Sequence, residues 1–249
     1  MIQEYLDKKL RYDGRGLQDY REVTVETGIS KSAEGSARVR IGETHVLAGV
    51  KMAVEKPYPD SPDKGNLMVN AELTPMSSPE FETGPPGEQA VELARVIDRG
   101  IRESQAIDTK ALCIEPGEKV WAVMIDIITI NDAGNLLDAA GIAALAALKN
   151  AKFPAYDGEK VDYMTKTKKS LPMLREPLPI TILKIGKNII VDPLPEEEKL
   201  MEARLTVTTT EKGTICALQK GGRVPLQNED VQKMVSIALE KAKFLKTKL

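Results

Sequence analysis

The chain has 249 residues, with 35 Lys or Arg against 37 Asp or Glu and a single histidine, His45, for a formal charge of −2. That balance excludes a uniformly basic nucleic-acid coat, so any RNA or DNA site has to be a local patch. The 42% apolar share is that of a globular chain of one to two domains, and the 4% aromatic share excludes an extended base-stacking platform.

The chain opens on a short amphipathic stretch, with Ile2, Tyr5, Leu6 and Leu10 at helical spacing, and then the turn-rich YDGRG. It has no apolar signal-peptide core and no run of about 18 apolar residues, which points to a soluble cytoplasmic chain with no membrane span. From Arg21 to Glu55 the pattern has period two, and Gly42-Glu43 inside ARVRIGETHVLAGVKMAVE signals a two-residue hairpin. The loop EKPYPDSPDKGN precedes a strand in LMVNAELTP, and a second Pro/Gly loop, SSPEFETGPPGEQ, delivers the chain to a helix from about Glu88 to Ser104. Val91, Leu93, Ala94, Ile97 and Ile101 form its apolar face, while Arg95, Arg99 and Arg102 share one stripe at i, i+4 and i+7.

After a break at EPGEK, VWAVMIDIITI reads as a strand apolar on both faces, as in the middle of a covered sheet. AGNLLDAAGIAALAALKN follows as a small-residue helix, whose alanines and Gly141 permit close packing against that sheet. Residues 154–179 are polar, proline-bounded and aperiodic, and read as a crossover. The remainder gives a hairpin in ITILKIGKNIIVDP, a short acidic turn or helix in PEEEKLMEA, a hairpin in ARLTVTTTEKGTICALQKGG and a closing helix ending in lysines, which suit a helix C-terminus. Strands followed by a helix, twice over, predict an α+β (mixed α/β) fold. The organisation expected is an N-terminal extension over 1–20, a first half over 21–153, a crossover over 154–178 and a second half over 179–249.

Cys113 and Cys216 read as buried free thiols, and with one histidine a Cys/His metal site lacks ligands. His45, inside the alternating ETHVLAGV, reads as a structural strand residue, which weakens Ser/His and Cys/His nucleophile schemes. Asp126 and Asp132 have metal-ligand character, but Asp126 lies inside an apolar strand and no third ligand converges by spacing. Neither metal nor cofactor is expected.

Four blocks carry a likeness. RYDGRGLQDYR, with Arg11, Asp13, Gly14, Arg15 and Arg21, then GSARVRIGETHVLAGV, ELARVIDRGIR and IDIITINDAGNLLDAAGIAALAAL occur in an order, and over nearly the whole chain, that resembles the RNase PH family. CIEPGEKVWAVMIDIITINDAGNLLDAA resembles in particular the non-catalytic PH-like subunits of archaeal exosomes. The resemblance implies an RNase PH fold of ribosomal protein S5 domain 2-like architecture, in two strand-then-helix halves. It also implies an alternating hexameric ring with a catalytic RNase PH-like subunit, three of each, RNA-binding cap subunits on one face, and single-stranded RNA as ligand.

Active members of the family degrade RNA from its 3′ end with inorganic phosphate, held at a helix N-terminus after a Gly-Gly-Thr-Arg type turn. The matching stretch here is Ala133-Gly134-Asn135-Leu136-Leu137-Asp138, so Leu136 stands where the arginine would be. With Asn135 as N-cap, Asp138 falls at N3, and its carboxylate is expected to meet the free N–H groups and close the helix start to phosphate. The second family arginine aligns with Gln89, and the two aspartates of active relatives align with Glu198 and Arg204. A guanidinium cannot act as base or metal ligand. The expectation is therefore a non-catalytic subunit. The alternative is an autonomous phosphate-dependent exoribonuclease or nucleotidyltransferase with displaced acids, Glu196 to Glu198 and Asp192.

In the family the 88–104 helix faces the path of single-stranded RNA toward the partner's active site, so Arg95, Arg99 and Arg102 are the expected RNA-binding residues. A competing reading of the stripe is a solvated face of Glu92–Arg95, Asp98–Arg102 and Arg99–Glu103 pairs. Lys166, Lys168 and Lys169 read as a solvated loop before they read as a second basic patch.

Overall fold

Wherever period-two alternation has a buried face to serve, the chain forms sheet. The computed structural model describes residues 2–249, in the order α1 (Ile2–Asp7), β1 (Val23–Thr27), β2 (Gly35–Ile41), β3 (Thr44–Glu55), β4 (Asn66–Leu73), α2 (Glu88–Glu103), β5 (Cys113–Glu115), β6 (Lys119–Asn131), α3 (Leu136–Asn150), β7 (Lys152–Tyr156), β8 (Val161–Ser170), β9 (Leu178–Ile185), β10 (Asn188–Val191), α4 (Pro195–Glu198), β11 (Ala203–Thr209), β12 (Ile215–Gly222) and α5 (Asn228–Lys246). The first six strands form one sheet in the order β1-β2-β3-β6-β4, with β5 on β6, and a second sheet runs β10-β9-β11-β12. Only β4 and β6 pair in parallel in the first sheet, the two being joined through α2. This is the expected mixed α+β architecture.

The hairpin at Gly42-Glu43 forms, with Ile41 opposite Thr44 and Gly42 at φ 56°, a conformation glycine enters without penalty. Helix α3 lies between the two sheets and is buried from Leu137 to Leu148. Its alanines let both sheets approach. Gly141, expected to pack on the first sheet, meets the second instead, since a Cβ there would lie 2.1 Å from Pro179 Cγ. Ile142, Leu145 and Leu148 are each nearly inaccessible, and truncating any of them to alanine costs about 2–5 kcal/mol. Helix α2 packs beside α3 through Ala90, Leu93, Val96, Ile97, Gly100 and Ile101. Val91, placed on the apolar face by its spacing, is exposed instead.

Three other expectations change. The 120–130 strand is covered on both faces only in its first half, where Val120 to Val123 are all buried, and from Met124 onward Met124, Asp126, Ile128 and Ile130 on one face remain partly exposed. The aperiodic crossover contains the β7–β8 pair. Because β8 is exposed along almost its whole length, no face of it requires apolar residues, and its sequence carries no alternation. The thiols of Cys113 and Cys216 are free but half-buried, since both sit on short or edge strands, and burial pushes the Cys216 thiol up. On α1, Leu6 is buried while Tyr5 is exposed, Leu10 lies beyond the end of the helix and is exposed, and the side chain of Ile2 lies outside the described residues. No helix among the described residues is long and apolar enough to cross a membrane.

Candidate functional site

Helix α3 begins at a turn with two successive left-handed residues, Gly134 at φ 86° and Asn135 at φ 62°. A Cβ on residue 134 would lie 2.3 Å from Pro193 O, so only glycine fits. Thr44 Oγ1 donates to Gly134 O at 2.6 Å, Arg21 Nη1 donates to Ala133 O at 2.6 Å, and the Gly134 N–H donates to Asp132 Oδ1 at 2.9 Å. The start of the helix is thus clamped from three sides.

Asp138 does not cap it. The Asp138 side chain turns into the protein interior, where it accepts from Tyr20 Oη at 2.6 Å and from Asn135 Nδ2 at 3.1 Å. Full burial pushes its carboxyl up to about 7. The anion at the helix start comes from Glu198 on α4, whose Oε1 accepts the Asn135 N–H at 2.9 Å. Burial pushes the Glu198 carboxyl up to about 7, against that N–H bond and with help from Asp132. The helix start is closed by a carboxylate, as expected, but one supplied 63 positions downstream.

Leu136, Gln89, Glu198 and Arg204, the four positions singled out by alignment, line a single cleft of about 460 Å³. Its ionisable lining is Glu80, Glu92, Asp132 and Glu198 against Lys199 and Arg204. Both cations are engaged: Lys199 Nζ pairs with Glu80 Oε1 at 2.6 Å, and Arg204 Nη2 pairs with Glu92 Oε1. A phosphate dianion entering here meets a leucine at the helix start, an occupied backbone N–H and an excess of carboxylates. Such a cleft disfavours anion binding.

Behind the cleft, the arginines of the RYDGRG segment are consumed by structure. Arg21 reaches Asp192 through Nε at 2.9 Å and Nη2 at 2.7 Å, and Arg15 Nη1 reaches the same carboxylate at 2.7 Å. Burial works to raise the Asp192 carboxyl, and the Arg21 guanidinium overrides it and holds the group below the usual carboxylate range. Arg11 pairs with Glu197 and donates to Val191 O at 2.9 Å and Asp192 O at 2.8 Å, with both side chains of the pair inaccessible to solvent. The motif marked these residues, but their role as clamps on the 191–198 segment follows only from three-dimensional contacts.

On the other side of the Glu92–Arg204 pair, α2 and the edge strand β12 border an open groove of about 850 Å³. Arg95, Arg99 and Arg102 all line it, so the predicted stripe exists. Its pairing differs from the spacing rule. Arg102 Nε does meet Asp98, at 2.8 and 2.9 Å, and its Nη2 donates to Leu67 O. Glu92 is drawn away to Arg204, and no Arg99–Glu103 pair forms, which leaves Arg95 and Arg99 exposed without a side-chain ion pair among the described residues. Two cationic groups therefore face the groove unneutralised.

The remaining candidates lie apart. Asp126 sits on the uncovered face of the first sheet and accepts from Asn70 Nδ2 at 3.2 Å, whereas Asp132 lines the cleft. His45 lies in β3 between Arg40 and Asn131. Burial and the two neighbouring arginines, Arg40 and Arg38, push its imidazole pKa down, consistent with a neutral strand residue. No group of three or more metal-ligating side chains occurs among the described residues.

The model of the 3′ exoribonuclease family RNase PH matches in both its parts, domain 1 over residues 19–154 and domain 2 over residues 176–241. The "Exosome complex component Rrp42" of Methanothermobacter thermautotrophicus is 47% identical over 242 residues, which cover 96% of this chain and 89% of that protein. Among solved structures, a chain of the Archaeoglobus fulgidus exosome with RNA bound to the active site superposes with a TM-score of 0.93 at 43% identity, covering 99% of this chain and 95% of that one. A chain of an archaeal exosome core gives a TM-score of 0.88 at 40% identity, covering 99% and 94%.

Proposed function

The chain belongs to the RNase PH family of 3′ exoribonucleases, and from that premise we propose that it is a non-catalytic component of an archaeal-type exosome that lends RNA contacts to a catalytic partner. The observation that carries this reading is the contrast across the Glu92–Arg204 ridge. On one side, the cleft that should hold phosphate has its helix start occupied by Glu198 and its cations paired. On the other, Arg95 and Arg99 stand exposed in an open groove of about 850 Å³. Guanidinium groups so placed bind backbone phosphates without reading sequence. Arg102, tied to Asp98 and Leu67, serves the groove as a wall before it serves as a phosphate ligand.

In this reading the chain alternates with a catalytic RNase PH-like subunit in a cytoplasmic hexameric ring of three copies each, beneath RNA-binding cap subunits. Its part in phosphorolysis is to shape the partner's active site and steer the 3′ end toward it. The autonomous-enzyme alternative finds three of its four acids engaged, Asp192 by Arg15 and Arg21, Glu197 by Arg11 and Glu198 by the Asn135 N–H, and keeps only the exposed Glu196. The test is to incubate the purified chain with RNA and inorganic phosphate. No nucleoside diphosphate is expected from the chain alone, and release is expected once a catalytic PH-like subunit is added. Robust phosphorolysis by the lone chain overturns the proposal.

A further inference from the structure

Lysines crowd the end of the molecule where α3 finishes. Lys31 lies in the loop before β2, Lys51 on the uncovered face of β3, and Lys152, Lys166, Lys168 and Lys169 on the β7–β8 pair. Contacts tie them into one patch. Lys51 Nζ donates to Ser32 O at 2.9 Å and to Glu34 Oε1 at 2.8 Å, Lys166 Nζ donates to Ala33 O, and the Lys152 N–H donates to Glu34 O at 3.2 Å. Glu34 is buried and also accepts the Met52 N–H, so it offers nothing to a ligand. The acids of the β7–β8 pair and its turn, Asp157, Glu159 and Asp162, stand toward the hairpin tip, where Asp157 and Asp162 accept backbone N–H bonds, and Glu176 beside the end of α3 is paired with Lys149. Six lysines around one buried carboxylate make a strong local field in a chain of net charge −2.

The register arranges them. Ser170 lies opposite Lys152 and Lys166 opposite Pro154, with a bulge between the two pairings that gathers Lys166, Lys168 and Lys169 beside Lys152. Lys169 Nζ lies over the Phe153 ring at 4.7 Å, and Lys51 Nζ over the Tyr163 ring at 4.7 Å. Lys166 and Lys168, two residues apart on a strand, are separated by about 6.6 Å along it, comparable to the step between successive phosphates of an extended single strand. Lys31, Lys152 and Lys168 make no ion pair and are exposed.

We infer that this patch is a second contact for the backbone of single-stranded RNA, at the opposite end of α3 from the cleft. The helix has 15 residues and so holds the patch about 22 Å from the cleft, and none of these lysines lines the arginine groove. The inference rests on the reading that the chain works on RNA. Lysine is the residue that protein–protein interfaces deplete and that phosphate backbones favour, and on the β7–β8 pair lysines outnumber the two exposed large apolar side chains, Tyr163 and Met164.

The test uses the chain assembled with its catalytic partner and a fluorescein-labelled oligoadenylate of about 40 nucleotides, titrated across a range of salt concentrations. A K31Q/K152Q/K168Q variant is compared with an R95A/R99A variant, and thermal unfolding checks that each is folded. The lysine variant is expected to lower the slope of log affinity against log salt by about 2 and to weaken binding roughly ten-fold near 0.1 M salt. Bound RNA is expected to protect Lys152 and Lys168 of the wild-type complex from acylation, read by mass spectrometry. If the slope and the protection do not change while R95A/R99A weakens binding, the lysine site is overturned and the functional reading stands. If neither variant changes RNA binding, the functional reading falls and takes the patch with it. If the lysine variant instead loses another protein subunit at unchanged RNA affinity, the patch is a protein interface and the inference is wrong.

Discussion

Arg11, Arg15 and Arg21 near the start of the chain, and Arg95, Arg99 and Arg102 on α2, are one residue type with opposite fates. The first three are withdrawn into the protein on Asp192 and Glu197 and hold the 191–198 segment in place. Of the second three only Arg102 is tied, while Arg95 and Arg99 are left to solvent. The difference lies in which carboxylates the fold brings within reach, since acids flank both sets in sequence. Arginines with buried partners build the scaffold, and arginines whose nearest acid has been claimed elsewhere remain available to a ligand.

The comparison breaks most visibly at Arg11. Arg11→Ala leaves the Glu197 carboxylate buried without its partner, and urea denaturation should report a loss of about 3–5 kcal/mol. If the loss is below 1 kcal/mol, the N-terminal set is not structural. The next effect separates two neighbouring acids, Asp192, which the arginines hold low, and Asp138, which has none and titrates near 7. A carboxyl whose folded pKa is raised binds its proton more tightly when folded, so it favours the folded state at low pH, and that advantage is lost as pH rises from about 4 to about 7. Wild type should therefore lose stability relative to Asp138→Asn over that window, by a few kcal/mol at most, and run parallel to it above. Parallel curves throughout would place Asp138 outside the account.

For the second set, R95A/R99A should move stability by less than about 0.5 kcal/mol while lowering the salt slope of RNA binding by about 1.4, since each single-strand phosphate contact contributes about 0.7. A large stability loss would turn these residues into scaffold and erase the contrast. The smallest effect sharpens it: Arg204→Ala releases Glu92 to pair with Arg95 three positions on, and RNA affinity should fall about two-fold, the equivalent of one helical ion pair. Adding Glu92→Gln should restore it. Without restoration, Arg204 touches RNA itself.

Much of this was legible in residue patterns. Strands with one buried face announced themselves, and Leu136, Gln89, Glu198 and Arg204, picked by family spacing, do converge on one cleft. The arginine stripe was found, but two of its three anticipated pairs do not form. Helical spacing sees only neighbours, and Glu92 found its partner 112 positions away. The same blindness hid Glu198 as the group that closes α3, for which Asp138 had the right local position. The β7–β8 pair escaped because solvent on both its faces imposes no pattern.

The clamp between Arg11 and the 191–198 segment also orders events in time. Arg11 and Glu197 are 186 positions apart, so a ribosome adding about 5–20 residues per second emits the second roughly ten to forty seconds after the first. Through that interval Arg11 lacks the acid it settles on, and the turn that starts α3 lacks both Glu198 and the Asp192 that orients Arg21. The first sheet can pair while the chain is still growing, but the cleft beside it can take shape only near the end of synthesis. A chain that stops before Asp192 would carry Arg11 and Arg21 without their carboxylates and an open helix start, a ready mark of incompleteness.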